Sequence, residues 1–177
     1  MPRSWIRLVV VCLFVVLVQE TVAVHALIWG VHPEFAWLLA PSIGLVGGSE
    51  AGALGGFGVG LCVDCLVPTP FGLSAMTMAI IGFCVGLAAE RGALASIREV
   101  WWLPVGIGAA SGLVGVGLYF VLGVLFGQTS FQTLPMLNIE VVTTATCALL
   151  GVPVAVMVAW AWGSDQPRRR HRLRRMG

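Results

Sequence analysis

GALGGFGVGLCVDCLVPTPFGLSA, residues 52–75, is the stretch from which the rest of the chain is read. It joins two apolar runs, each close to membrane-spanning length. Its first half carries Gly52, Gly55, Gly56, Gly58 and Gly60; it then meets one acid, Asp64, and a Pro/Gly turn from Pro68 to Gly72. Glycine makes a poor helix in water, about 0.8–1.0 kcal/mol per residue worse than alanine. In a bilayer, small residues let neighbouring helices approach closely. The stretch therefore predicts a tightly packed helix, an acidic edge and a return into the membrane. On a helix Gly52, Gly56 and Gly60 recur every four residues and share one face, and Asp64 continues the spacing. Two readings of Asp64 stand side by side: a cap at the end of its span, or a buried or partner-facing acid on the packed face.

Composition agrees with a membrane setting. Of 177 residues, 58% are hydrophobic and 10% charged, with a mean hydropathy of +0.96. A soluble domain carries about 25% charged residues, so the chain reads as an all-α integral membrane protein. The net charge of +2 matters less than its placement. There is no lysine; the ten basic residues are Arg3, Arg7, Arg91, Arg98, Arg168, Arg169, Arg170, Arg172, Arg174 and Arg175.

Outward from the glycine-rich stretch, the sequence predicts six transmembrane helices over about 6–27, 33–48, 51–67, 71–89, 101–126 and 141–162. These form one membrane domain, 1–163, followed by a basic tail, 164–177. A signal peptide competes for the first run, but its apolar part is long beside an h-region of about 7–15 residues. The second run, Phe35 to Gly48, falls short of the usual span of about 17–25 residues, and Pro41 should kink it. Pro153 should do the same in the sixth. The stretch GQTSFQTLPMLNIE, 127–140, reads as a loop.

Six spans place both termini, the 49–51 turn and the 90–99 loop on one side, which gathers all ten arginines there. By the positive-inside rule that side is cytoplasmic. Trp5, Trp29, Trp37, Trp101, Trp160 and Trp162 fall near predicted span ends, where tryptophan favours the interface. The tail's arginines suit anionic headgroups as well as topology fixation; no nucleic-acid partner is expected.

Catalytic chemistry is hard to assemble from this chain. His25, His32 and His171 have no metal-binding spacing, and Ser49 and Ser74 have no readable His/Asp partners. GGFGVG at 55–60 lies inside an apolar run rather than after a soluble strand, so it is no dinucleotide loop. Cys62-Val-Asp-Cys65 has redox-pair spacing without a surrounding soluble domain; the five cysteines read as small hydrophobes. No catalytic residue, cofactor or metal is expected. Transport would draw on Glu20, Asp64 and Glu140, yet no buried basic residue is available to pair with them.

The stretch 52–75 resembles the rod shape-determining protein MreD family, in which a glycine-rich third span ordered G-F-x-x-G-L-x-x-D precedes a P-x-G-L-x-A turn. Here Gly56-Phe57, Gly60-Leu61 and Asp64 fit the first part; Pro70, Gly72-Leu73 and Ala75 fit the second; Gly82-Phe83 fits a Gly-aromatic pair in the next span. The resemblance implies a non-enzymatic membrane scaffold of the bacterial cell-elongation complex, supporting rod shape and lateral peptidoglycan synthesis. Its implied partners are an MreC-like membrane protein and, through the complex, the MreB filament, the RodA glycosyltransferase and a class B transpeptidase. The implied fold is similar to the six-helix S component of energy-coupling-factor transporters, which supplies the alternative function of a vitamin-binding subunit. On that alternative, donors would come from His32, Gln128, Gln132 and Asn138. The residues expected to pack or bind a partner are Gly52, Gly56, Phe57, Gly60, Asp64, Pro70, Gly72 and Gly82.

Overall fold

Each apolar run of the sequence folds as a helix, and one of them is buried on every side. The structure, a computed structural model, describes residues 2–22, 32, 34–67, 71–92, 103–127 and 133–163. Six α-helices follow in order: α1 Pro2–Val22, α2 Leu39–Gly47, α3 Ser49–Leu66, α4 Leu73–Glu90, α5 Leu103–Leu125 and α6 Thr133–Gly163. A 3-10 turn, Ala36–Leu38, runs directly into α2. No strand occurs among the described residues.

The short second segment is the centre of the bundle. Adjacent pairs α1–α3, α3–α4, α4–α5, α5–α6 and α6–α1 close a ring, and α2 packs inside it against α3, α4, α5 and α6. Every residue from Ala36 to Gly44 is buried, and Leu38, Leu39 and Ile43 are among the largest fully enclosed side chains. A helix apolar all round belongs in such a place. The 3-10 turn and α2 together reach roughly 20 Å, against a hydrocarbon core of about 30 Å. The helix is thus shorter than the span expected over 33–48. Pro41 sits in the first turn of α2, where its missing N–H breaks no intrahelical bond, so it does not interrupt the helix midway.

The ring turns apolar side chains outward. Val10, Phe14 and Leu17 on α1, Leu54 and Phe57 on α3, Leu113 and Val121 on α5, and Leu149 and Val156 on α6 are all exposed. So continuous an apolar exterior marks a surface made for something other than water. Among the described residues three helices are long and apolar enough to cross a membrane: Leu73–Glu90, Pro104–Leu125 and Asn138–Gly163. The chain is a multi-helical membrane protein.

The start of α1 and the end of α6 meet at one end of the bundle. Trp5 and Trp162 pack edge to face with ring centroids 5.3 Å apart, and the Arg7 guanidinium lies 6.0 Å from the Trp160 ring. The α2–α3 junction lies there too, since a Cβ at Gly47 would stand 2.9 Å from the Trp162 ring. Two expectations change. The sixth helix begins at Thr133, so the later part of the polar stretch 127–140 is helical rather than loop. Trp37 is not interfacial: it is 5% exposed, inside the core, because the 3-10 turn that carries it is interior. Trp29, Trp101, Trp102 and the basic tail lie outside the described residues.

α6 is long and apolar enough to cross a membrane, and a crossing helix has its two ends on opposite sides. Reporter fusions after Gln128 and at the C-terminus should therefore report opposite sides. A same-side result would require a different topology.

Candidate functional site

The predicted glycine face is the seam between α3 and α4, the most extensive helix contact in the molecule. Gly52, Gly56, Gly60 and Gly82 are all buried. A Cβ at Gly52 would fall on the Gly82 carbonyl, one at Gly56 on the Met78 carbonyl, and one at Gly60 on the backbone of Ala75. At the far end, a Cβ on Gly86 would come within 2.6 Å of the Gly48 carbonyl carbon and Ser49 Cα. These are backbone-to-backbone approaches, so no rotamer change relieves a clash. The face expected to pack or bind a partner is therefore used inside the chain. Gly58, off the seam, has no atom within 4 Å of its Cβ position.

Both helices of this hairpin begin at a glycine that cannot cap them. Gly72 precedes α4 with φ +97°, and Gly48 precedes α3 with φ +89°. Both values lie in the left-handed region that glycine alone enters without strain. Neither glycine has a side chain for the first free N–H groups of its helix. The opposite helix supplies one instead.

Asp64, near the end of α3 and 5% exposed, accepts hydrogen bonds at the start of α4. Its Oδ2 takes the N–H groups of Gly72 (2.9 Å) and Ala75 (3.1 Å), and its Oδ1 that of Ser74 (3.2 Å). Ser74 and Ala75 are the second and third helical positions, which an N-cap side chain ordinarily serves. Glu90, the last residue of α4, answers at the start of α3: its Oε1 accepts from the Ser49 N–H (2.8 Å) and its Oε2 from the Ser49 hydroxyl (2.9 Å). A carboxylate at a helix N-terminus also meets the positive end of the helix dipole. Asp64 is thus buried, as one sequence reading held, and it is a cap, as the other held. It caps the next helix rather than its own.

Of the remaining expected residues, Phe57 is 46% exposed, turned away from the seam, and Pro70 lies outside the described residues. Sequence reasoning missed Glu90, which falls at the edge of the predicted 90–99 loop, and Gln19. The Gln19 Oε1 accepts the N–H of Phe35 (2.9 Å) and that of Ala36, at the entry to the 3-10 turn. The signal was available: a glutamine beside Glu20 in an otherwise apolar run needs a partner.

A cavity of about 160 Å³ opens between the helices near the Asp64 end, with Gln19, Glu34, Trp37, Ser74 and Tyr119 in its wall. Of the donors expected for a vitamin, His32 and Asn138 do not line it; Gln128 and Gln132 lie outside the described residues. The five cysteines are free. Among the described residues no three His, Cys, Asp or Glu side chains are grouped to hold a metal.

Two outcomes follow for purified protein unfolded in detergent. Gly60→Ala should destabilise by about 1–3 kcal/mol through overpacking, while Gly58→Ala should be neutral or slightly stabilising. Asp64→Ala strands three backbone donors and should cost about 1–3 kcal/mol, with Asp64→Asn intermediate because one acceptor oxygen remains. Compared with known proteins, the chain matches no protein-family model, no curated protein and no solved structure.

Proposed function

We propose that this chain is a non-enzymatic membrane scaffold of the bacterial cell-elongation complex, of the MreD kind. It would act through an MreC-like partner, and through that partner on the MreB filament, the RodA glycosyltransferase and a class B transpeptidase. The observation that carries the reading is the α3–α4 hairpin. Five of the residues on which the family resemblance rests help build this hairpin: Gly56 and Gly60 in the seam, Asp64 as the cap, Gly72 at the left-handed turn and Gly82 opposite Gly52. A motif spent on helix approach and capping supports a structural role for this region rather than a reaction centre.

The arginine distribution orients the scaffold. Six spans, with α2 counted through its connection, put Arg3, Arg7, Arg91, Arg98 and the arginine-rich tail in the cytoplasm. That side also holds the Glu90–Ser49 cap; the Asp64 cap and the cavity face outward.

Affinity purification from native membrane, with identification of the proteins and small molecules retained, tests the reading. Co-purification of the elongation proteins is the expected outcome. A stoichiometric vitamin together with an energising ATPase module would replace the scaffold by the vitamin-binding subunit. The cavity weighs against that alternative, being smaller than the roughly 300–1,000 Å³ of typical ligand pockets. In the same assay Asp64→Ala should lower partner recovery relative to the amount of chain in the membrane. Unchanged recovery per chain would confine Asp64 to folding.

A further inference from the structure

The cavity near the Asp64 end has a chemistry of its own. Every part of the bundle except α2 contributes to its wall, from Gln19 on α1 to Ile139 on α6. Among the described residues the lining is mostly apolar and aromatic, with one carboxylate, Glu34. The Trp37 indole N–H donates to Glu34 Oε2 (2.8 Å). That bond fixes one oxygen and leaves the carboxylate with further acceptor capacity. Trp37 and Tyr119 stand edge to face, ring centroids 6.1 Å apart at 82°, and give the wall two aromatic rings.

The polar groups around Glu34 are mostly committed. Gln19 Oε1 already receives two backbone N–H groups, and its amide lies 3.4 Å from Glu20 Oε1. The Trp37 N–H is spent on Glu34 itself. No lysine exists in the chain, and no arginine occurs between Arg7 and Arg91 or between Arg98 and Arg168. An anionic ligand would therefore find no arginine or lysine of these segments to meet it. Glu20 adds negative charge beside Glu34, and the exposed His32 on the same connection acts on it in the opposite sense. A carboxylate with spare acceptors, aromatic rings and an arginine-free surround together select a ligand that is positively charged and donates hydrogen bonds or presents methylated nitrogen. The volume is right for a small one: at about 30 Å³ per water, the space equals roughly five waters.

We propose that this cavity binds an organic ammonium group, held by the Glu34 carboxylate against Trp37 and Tyr119. Two sources present that chemistry, a free small amine and the ammonium head of a membrane lipid. The proposal is independent of the scaffold reading, since Glu34, Trp37 and Tyr119 take no part in the hairpin motif.

The test uses the full chain purified in a detergent without an ammonium headgroup. Choline chloride is titrated against sodium chloride at matched ionic strength, and thermal unfolding and tryptophan fluorescence are followed. In a second arm, the protein is placed in bilayers of phosphatidylglycerol with or without phosphatidylethanolamine. A saturable response specific to choline supports a free amine. Stabilisation specific to phosphatidylethanolamine supports the lipid headgroup. Glu34→Gln, which retains an acceptor for Trp37, should weaken the response at least about tenfold. If that variant does not fold, Tyr119→Leu should weaken it by removing one ring. No choline-specific and no phosphatidylethanolamine-specific response in the unaltered chain would overturn the proposal. So would a variant that responds as the unaltered chain does.

Discussion

The α3–α4 hairpin is held by an exchange of carboxylates. Asp64 at the end of one helix satisfies the start of the other, and Glu90 at the end of the other satisfies the start of the first. In water the opening N–H groups of a helix can turn to solvent. At the edge of a bilayer that recourse is reduced, and unsatisfied backbone groups are expensive. Because Gly48 and Gly72 occupy the cap positions, neither helix has a side-chain cap of its own for its first N–H groups. Each is completed only when the two lie side by side. Capping is thereby coupled to tertiary contact, and the glycine seam lets the backbones come close enough for short carboxylates to reach.

The same economy recurs elsewhere in the bundle. The 3-10 turn before α2 is capped by Gln19 of α1, so three helix entries take their acceptors from another helix. A second glycine seam joins α5 and α6: a Cβ at Gly112 would stand 3.1 Å from Thr144 Cα, and one at Gly151 3.1 Å from the Pro104 carbonyl carbon. Between the two seams lies α2, whose side chains fill the interior that the glycines leave narrow. A helix long enough to cross the membrane is not required there. What α2 needs is an apolar surface all round and a capped entrance, and both are supplied.

Much of this was legible in the chain. Apolar runs gave the helices, and the four-residue recurrence of Gly52, Gly56, Gly60 and Asp64 placed all four on one buried face. The recurrence is local, which is why it could be read. Its partner was not, since a small-residue face packs equally well on a neighbour in the chain or on another protein. Glu90 and Gln19 were missed for the same reason: each finds its acceptor role 41 or 16 residues away. Trp37 was misplaced because a run taken as a span was assigned an interface at its start. Thr133 to Glu140 was read as a loop on polarity alone, although a helix at the bundle end can continue past the apolar layer.

The hairpin also sorts the residues of the motif. Gly56, Gly60, Asp64, Gly72 and Gly82 each meet a stated steric or hydrogen-bonding demand of the fold. Phe57 does not. It is exposed on the outer face of α3 beside Leu54, with Gly58 open next to it, while Phe83 is exposed on α4. An aromatic side chain outside the seam contributes nothing to helix approach or capping, so the demand it meets comes from the surroundings of the bundle, lipid or protein. The seam and the outer face are therefore separable. Changes in the seam act first on stability, and changes at Phe57 leave the hairpin's contacts intact while altering the surface it presents.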